Sequence, residues 1–124
     1  MIAYVTLGTK NIANASEFYD ALLAGIGAKR AFDTEGFVAW STGEDQPMIS
    51  VVLPHNGESA SAGNGTMVAL AIKDAETIKA LHAKALELGG TNEGDPGVRE
   101  ELYYCAYFRD LDGNKLNLFC MAEG

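Results

Sequence analysis

The sequence predicts an α+β fold: two tandem βαβββ modules that form a curled mixed sheet around a cleft. Three observations carry that prediction. First, residues 3–27 lie without a gap on residues 66–90, so that Val5 falls on Val68, Leu7 on Leu70, Lys10 on Lys73, Leu23 on Leu86 and Gly27 on Gly90. Second, both copies run in the same order: a short apolar stretch, a polar break, a helix-period stretch and glycine. Third, a small, polar, glycine-rich segment, PHNGESASAGNG at residues 54–65, separates them. A repeat of this length decides architecture before any local assignment does. Each half is too small to bury a comfortable core alone, so the two share one core within a single domain spanning 1–124. Module one is expected over about 1–54, the linker over 55–65 and module two over about 66–124.

Each element follows from local pattern. Residues 2–8, IAYVTLG, are short and β-rich and read as a strand. From Asn11 the period changes: Ile12, Ala15, Phe18, Tyr19, Leu22, Leu23 and Ile26 recur at three- and four-residue steps, which is one face of a helix. Gly25 and Gly27 supply the stop. Strands fit 28–33, 36–41 and 47–53, with turns at Thr34–Gly36 and Ser41–Asp45. The second half repeats the order, with a strand over 66–73 and Asp74 as N-cap of a helix whose stripe is Ile78, Leu81, Ala85 and Leu88. Gly89-Gly90 ends that helix, and strands fit 92–99, 102–109 and 114–121. Asp112-Gly113 marks the last hairpin, since glycine accepts positive φ at little steric cost.

Composition narrows the function classes. A net charge of −8, with 17 acids against nine Lys and Arg, excludes nucleic acid or an anionic membrane as the main partner. No apolar run approaches the roughly 20 residues of a membrane span. The opening MIAYVTLG lacks the basic region and long apolar core of a secretory signal. Cys105 and Cys120 sit in apolar runs outside any CxxC spacing and read as buried thiols in a reducing compartment. These features together predict a cytoplasmic protein.

The closing stretch Tyr107-Phe108-Arg109-Asp110-Leu111-Asp112-Gly113-Asn114-Lys115-Leu116 resembles the ending of the vicinal oxygen chelate superfamily, R-D-P-D-G-N followed by an apolar strand, with Leu111 in place of the proline. The opening helix Ser16-Glu17-Phe18-Tyr19-Asp20-Ala21-Leu22-Leu23 and the run from Leu88 to Arg99 are similar to a glyoxalase-like branch of that superfamily. The group includes glyoxalase I, extradiol dioxygenases, fosfomycin-resistance enzymes and bleomycin-resistance binding proteins. The resemblance implies half-barrel modules that enclose a cleft, and a homodimer.

It also implies where a metal would sit. Metal-using members carry histidine or glutamine on the first strand, glutamate on the fourth, histidine on the fifth and glutamate on the eighth. These positions fall on Tyr4, Ser50, Met67 and Asn117. None offers a carboxylate or an imidazole, and thioether, amide, hydroxyl and phenol are poor ligands for Zn, Ni, Mn or Fe. A slip of one residue brings no acid or histidine to the first or fifth strand. The expectation is therefore no metal and no cofactor, with these four side chains lining a cavity or core. His55 lies in the linker and His82 on a helix flank, too far apart in sequence to form an H-x-x-x-H pair.

The aromatic residues are the remaining binding candidates. Phe37 and Trp40 lie on one middle strand, Tyr103 and Tyr107 on another; they either wall a cleft for a flat ligand or pack the core. Alternation sets Tyr103 and Tyr107 on the face opposite Tyr104 and Phe108. Arg99 could fork an anionic group at the cleft mouth. No nucleophile–base pair stands out, and Asp110 and Asp112 read as turn-shaping residues. The leading expectation is a metal-free protein that binds a small, partly aromatic or anionic molecule in the cleft. The alternatives are a metal-dependent lyase or dioxygenase with a non-standard site, and an interaction module whose cleft its own side chains fill.

Overall fold

The structure is a computed structural model, and it describes residues 1–122. Its element order is βαβββ twice. Module one holds β1 (Tyr4–Gly8), α1 (Ile12–Leu23), β2 (Lys29–Asp33), β3 (Phe37–Ser41) and β4 (Met48–Val52). Module two holds β5 (Val68–Ala71), α2 (Ala75–Glu87), β6 (Thr91–Arg99), β7 (Tyr103–Arg109) and β8 (Lys115–Met121). Each module is a four-stranded sheet, ordered β1-β4-β3-β2 in the first and β5-β8-β7-β6 in the second. In both, the first strand pairs parallel with the last and the other pairs are antiparallel.

The repeat is visible at the level of single hydrogen bonds. Asn11 caps α1 by accepting from the Asn14 N–H, and Asp74 caps α2 by accepting from the Thr77 N–H. Both caps satisfy a donor that a helix start leaves without an intrahelical partner. The stop of α1 comes earlier than its apolar stripe suggests. After Leu23 the chain tightens into a 3₁₀ turn over Ala24–Ile26, and Gly27 takes a left-handed φ of 75°. Gly25 sits there because a Cβ would lie 2.8 Å from the Leu81 side chain, where the two modules meet.

One core serves both modules. Leu7, Phe18, Tyr19, Leu22, Leu23, Val38, Trp40 and Val51 from the first cluster with Ile78, Leu81, Ala85, Phe108, Leu116 and Leu118 from the second. Phe18 packs on Phe108 with ring centres 6.3 Å apart. The inner strands β1, β3 and β4 of the first sheet and β5, β7 and β8 of the second therefore contribute one side to this core and turn the other away from it. The edge strands β2 and β6 add no side chain to it. Residues 53–67 form no strand or helix, and the segment passes close to Gly8, where a Cβ would meet that of Ala60 at 3.0 Å. Among the described residues no helix is long and apolar enough to cross a membrane.

Candidate functional site

Sheet register decides which side chains share the faces turned away from the core. In module one, Thr6 opposes Ser50, and Ser50 opposes Ala39 on β3. In module two, Ala69 opposes Asn117, and Asn117 opposes Tyr107 on β7. Since Thr6 and Ala69 are repeat mates, Ser50 and Asn117 occupy one equivalent place in the two sheets. Tyr4 opens β1 and Met67 immediately precedes β5, and both are exposed.

The two equivalent positions differ in chemistry. Ser50 is fully buried, and its hydroxyl donates to the Val5 carbonyl at 2.5 Å, so its proton is committed within the sheet. Asn117 is also buried, but its Oδ1 has no hydrogen-bond partner. An acceptor left in that state costs about 1–3 kcal/mol.

The aromatic candidates divide between the faces. Phe37 lies on the outward face of sheet one, edge-on to Tyr4 at 5.9 Å and to Phe32 at 6.4 Å. Trp40 lies on the opposite, core-facing side, 1% exposed, with its ring 5.5 Å from that of Tyr19. The Trp40 indole N–H donates to Asp20 Oδ1 at 2.8 Å, and the Arg30 guanidinium grips the same carboxylate with two bonds of 2.9 and 2.7 Å. Arg30 holds the Asp20 carboxyl below the usual aspartate range. Trp40 also borders an apolar cavity of about 330 Å³ between β1, β5 and the end of α1, with Val5, Leu23, Ile49, Val68 and Leu70 on its walls.

Tyr103 and Tyr107 lie together on the outward face of sheet two, while Tyr104 and Phe108 turn to the core. Period-two spacing brings Lys115 and Phe119 onto that face beside Asn117, and Cys105 between the two tyrosines. Tyr103 stacks at a tilt on Phe119 with centres 5.4 Å apart. Burial and hydrogen-bond contact with the Cys105 thiol push the Tyr107 phenol above its ordinary value. Cys120 points to the other face from Cys105, and no disulfide joins them.

Arg99 reaches this face by folding back over β6. Its guanidinium carbon lies 5.8 Å from the Tyr107 ring centre, and its Nη2 donates to the Asp95 carbonyl at 2.6 Å. Two glycines make room: a Cβ at Gly94 would lie 2.8 Å from the Tyr107 ring, and one at Gly97 would lie 3.0 Å from Arg99 Nη1. Lys115 lies over the same ring at 5.4 Å. The participation of Lys115 and Phe119 follows from Asn117 by strand alternation, and that of Cys105 from Tyr103 and Tyr107. The approach of Arg99 to Tyr107 has no such signal, because it depends on two register shifts in β6 and on the bare backbone at the glycines.

The histidines do not contribute a ligand set. His55 is exposed in the connecting segment. His82 is buried under β6 and β7, with Nε2 at 3.1 Å from both Asn92 Oδ1 and the Tyr107 carbonyl, where it stands as the repeat mate of Tyr19. Among the described residues, no group of three or more His, Cys, Asp or Glu is placed to hold a metal ion.

The sequence profile of the Glyoxalase/Bleomycin resistance protein/Dioxygenase superfamily matches residues 1–118. The chain belongs to the glyoxalase/bleomycin resistance/dioxygenase superfamily. A glyoxalase/bleomycin resistance protein from Albidiferax ferrireducens is 32% identical, with a TM-score of 0.88 over 96% of this chain and 97% of that one. Two more distant structures share the fold. A glyoxalase/bleomycin resistance protein/dioxygenase family enzyme from Burkholderia phytofirmans is 18% identical (TM-score 0.75, 94% and 95% covered). A glyoxalase-related enzyme from Fulvimarina pelagi is 16% identical (TM-score 0.76, 96% and 86% covered). No functionally curated protein matched the chain.

Superfamily membership makes the donor set at Tyr4, Ser50, Met67 and Asn117 the test of metal chemistry. The set offers a phenol, a hydroxyl, a thioether and a neutral amide, and the hydroxyl proton is already held by Val5. These groups do not fit a hard or borderline divalent ion. The cleft implied by the superfamily is not closed within one chain. The contacts that join the modules run through the helices and the turn at 110–114, on the other side of each sheet from these four residues.

Proposed function

We propose that this superfamily member is a metal-free, cytoplasmic homodimer that binds a small, partly aromatic or anionic molecule. The single observation that carries the reading is the chemistry of the four ligand positions, where carboxylate and imidazole are replaced by groups that suit an organic ligand better than a cation. Half-buried rings at Phe37, Tyr103 and Tyr107 offer flat apolar contact, and Arg99 offers a guanidinium fork. The homodimer reading is supported by the position of the two outward faces, which a second copy can close over. A metal-dependent lyase or dioxygenase with a non-standard site is the competing reading, favoured only by kinship.

Elemental analysis of protein purified without chelator, followed by thermal unfolding with added Ni, Zn or Mn and with aromatic acids, separates the two. The expected result is metal well below one ion per chain, no rise in Tm with metal, and a rise with an aromatic acid, because selective binding to the folded state stabilises it. A stoichiometric ion lost on Asn117→Ala or Tyr4→Phe substitution would overturn the reading. Light scattering after size exclusion is expected to give twice the mass of the chain.

A further inference from the structure

Resting on the binding reading above, we infer that the outward face of sheet two takes a ring carrying both a hydrogen-bond donor and an anionic group, with Asn117 receiving the donor and Arg99 and Lys115 receiving the anion. Three groups converge on Tyr107. Asn117 is its cross-strand partner, and the two cations lie within 6 Å of its ring, at 5.8 and 5.4 Å.

Each group has unspent capacity. The Asn117 Oδ1 is buried without a partner and can accept one hydrogen bond. Arg99 has one donor on the Asp95 carbonyl, leaving most of its five N–H groups available. Among the described residues neither Arg99 nor Lys115 enters an ion pair within 4 Å, although Glu93 lies near enough to Lys115 to feel its charge. Glu93 is itself paired with Arg109. In a chain of net charge −8, two such cations on one aromatic floor concentrate positive potential locally.

The rest of the face supplies the apolar contact. Phe119 and Tyr103 continue it from Asn117, away from Lys115, as a tilted aromatic pair. Small residues flank it on β5, where Ala69 and Ala71 raise no bulky wall against a ring, while on β6 the space beside Gly94 and Gly97 is taken by the Tyr107 ring and the Arg99 guanidinium. The acceptor at Asn117 is neutral. It rewards a ligand O–H or N–H without repelling the nearby anion, as a glutamate in the same place would. Sheet one has no counterpart, because the Ser50 proton already goes to Val5 and Met48 stands where Lys115 stands in sheet two.

A matched set of one-ring probes tests the inference: 4-hydroxybenzoate, benzoate and phenol, titrated by calorimetry and by amide chemical-shift mapping. The expected order is 4-hydroxybenzoate tightest, with benzoate and phenol each weaker by about tenfold, the worth of one hydrogen bond to a buried partner. Asn117→Leu should erase the difference between 4-hydroxybenzoate and benzoate while leaving the preference over phenol. Arg99→Gln should do the reverse. Asn117→Asp serves as a second variant of nearly unchanged shape, in which the added charge should weaken both benzoates more than phenol. If the probes bind on sheet two with no discrimination, or if Asn117→Leu folds and leaves the discrimination intact, the inference fails while the binding reading stands. If no probe shifts any amide, the binding reading fails with it.

Discussion

At the scale of the residue, the informative contrast is between Ser50 and Asn117. Register makes them equivalent, both are buried, and only one is satisfied. The contrast predicts opposite responses to removing the polar group. Ser50→Ala deletes a hydrogen bond and is expected to cost about 1 kcal/mol. Asn117→Leu replaces an unpartnered acceptor with an apolar group of similar size and is expected to leave stability unchanged or raise it by about 1 kcal/mol. Urea unfolding of the two variants beside the parent checks both, and a large loss at Asn117→Leu would mean that the amide has an internal role. Tyr4 and Met67 could be located from sequence because they are mates in the repeat, and Ser50 and Asn117 because the resemblance places glutamates on the fourth and eighth strands. Which of them held an unused hydrogen bond could not, since that depends on whether a carbonyl from another strand lies within reach.

At the scale of the element, the β6–β7 hairpin carries visible backbone strain. Glu100 and Glu101 both have positive φ, 52° and 57°, in a turn closed by the Leu102 N–H on the Arg99 carbonyl at 3.0 Å. That sign pattern is the one a type I′ turn needs, and Asn-Gly satisfies it far better than two glutamates. The double substitution Glu100→Asn, Glu101→Gly is expected to stabilise by about 1 kcal/mol, through relief of strain and of repulsion between adjacent acids. Thermal unfolding should show a higher Tm, and 4-hydroxybenzoate affinity should be kept, because among the described residues neither glutamate forms an ion pair with Arg99 or Lys115. The strands and α2 were legible from periodicity to within two residues, whereas α1 ends at Leu23, three residues before its apolar stripe does. The hairpin's left-handed pair was not legible, because nothing in Glu-Glu announces it and the flanking strands impose it.

At the scale of the whole molecule, the motif Arg109-Asp110-Leu111-Asp112-Gly113-Asn114 does more than turn a hairpin. Asp110 accepts from the Asp112 and Asn114 N–H groups, which shapes the turn, and from the Tyr19 hydroxyl at 2.6 Å, which reaches into the other module. Thr9 donates to Asp112 Oδ2 at 2.6 Å, and Asn114 Nδ2 donates to the Gly8 carbonyl at 2.9 Å. Burial first, and then the nearby Asp110 charge, raise the Tyr19 phenol well above its ordinary value, so it remains a donor throughout the physiological range. Tyr19→Phe is expected to cost about 1.5–3 kcal/mol, the worth of a hydrogen bond to a charged partner. Unfolding should remain one transition with an unchanged m-value if the shared core still couples the modules, and a second transition would show that the clasp is what joins them.

The sequence by itself determined the duplicated βαβββ order, the seam between the copies, and the residue types at the four positions onto which the family resemblance maps metal ligands. Those features are local or periodic, so they survive being read along one line. Tertiary structure alone decided that Trp40 turns inward to Tyr19 while Phe37 turns outward, that a turn of module two holds the first helix of module one, and that Arg99 lies over Tyr107 beside an acceptor with no partner. These depend on register shifts, on what faces a strand from across the core, and on the space two glycines leave open. Such relations exist only once the distant parts of the chain are brought together.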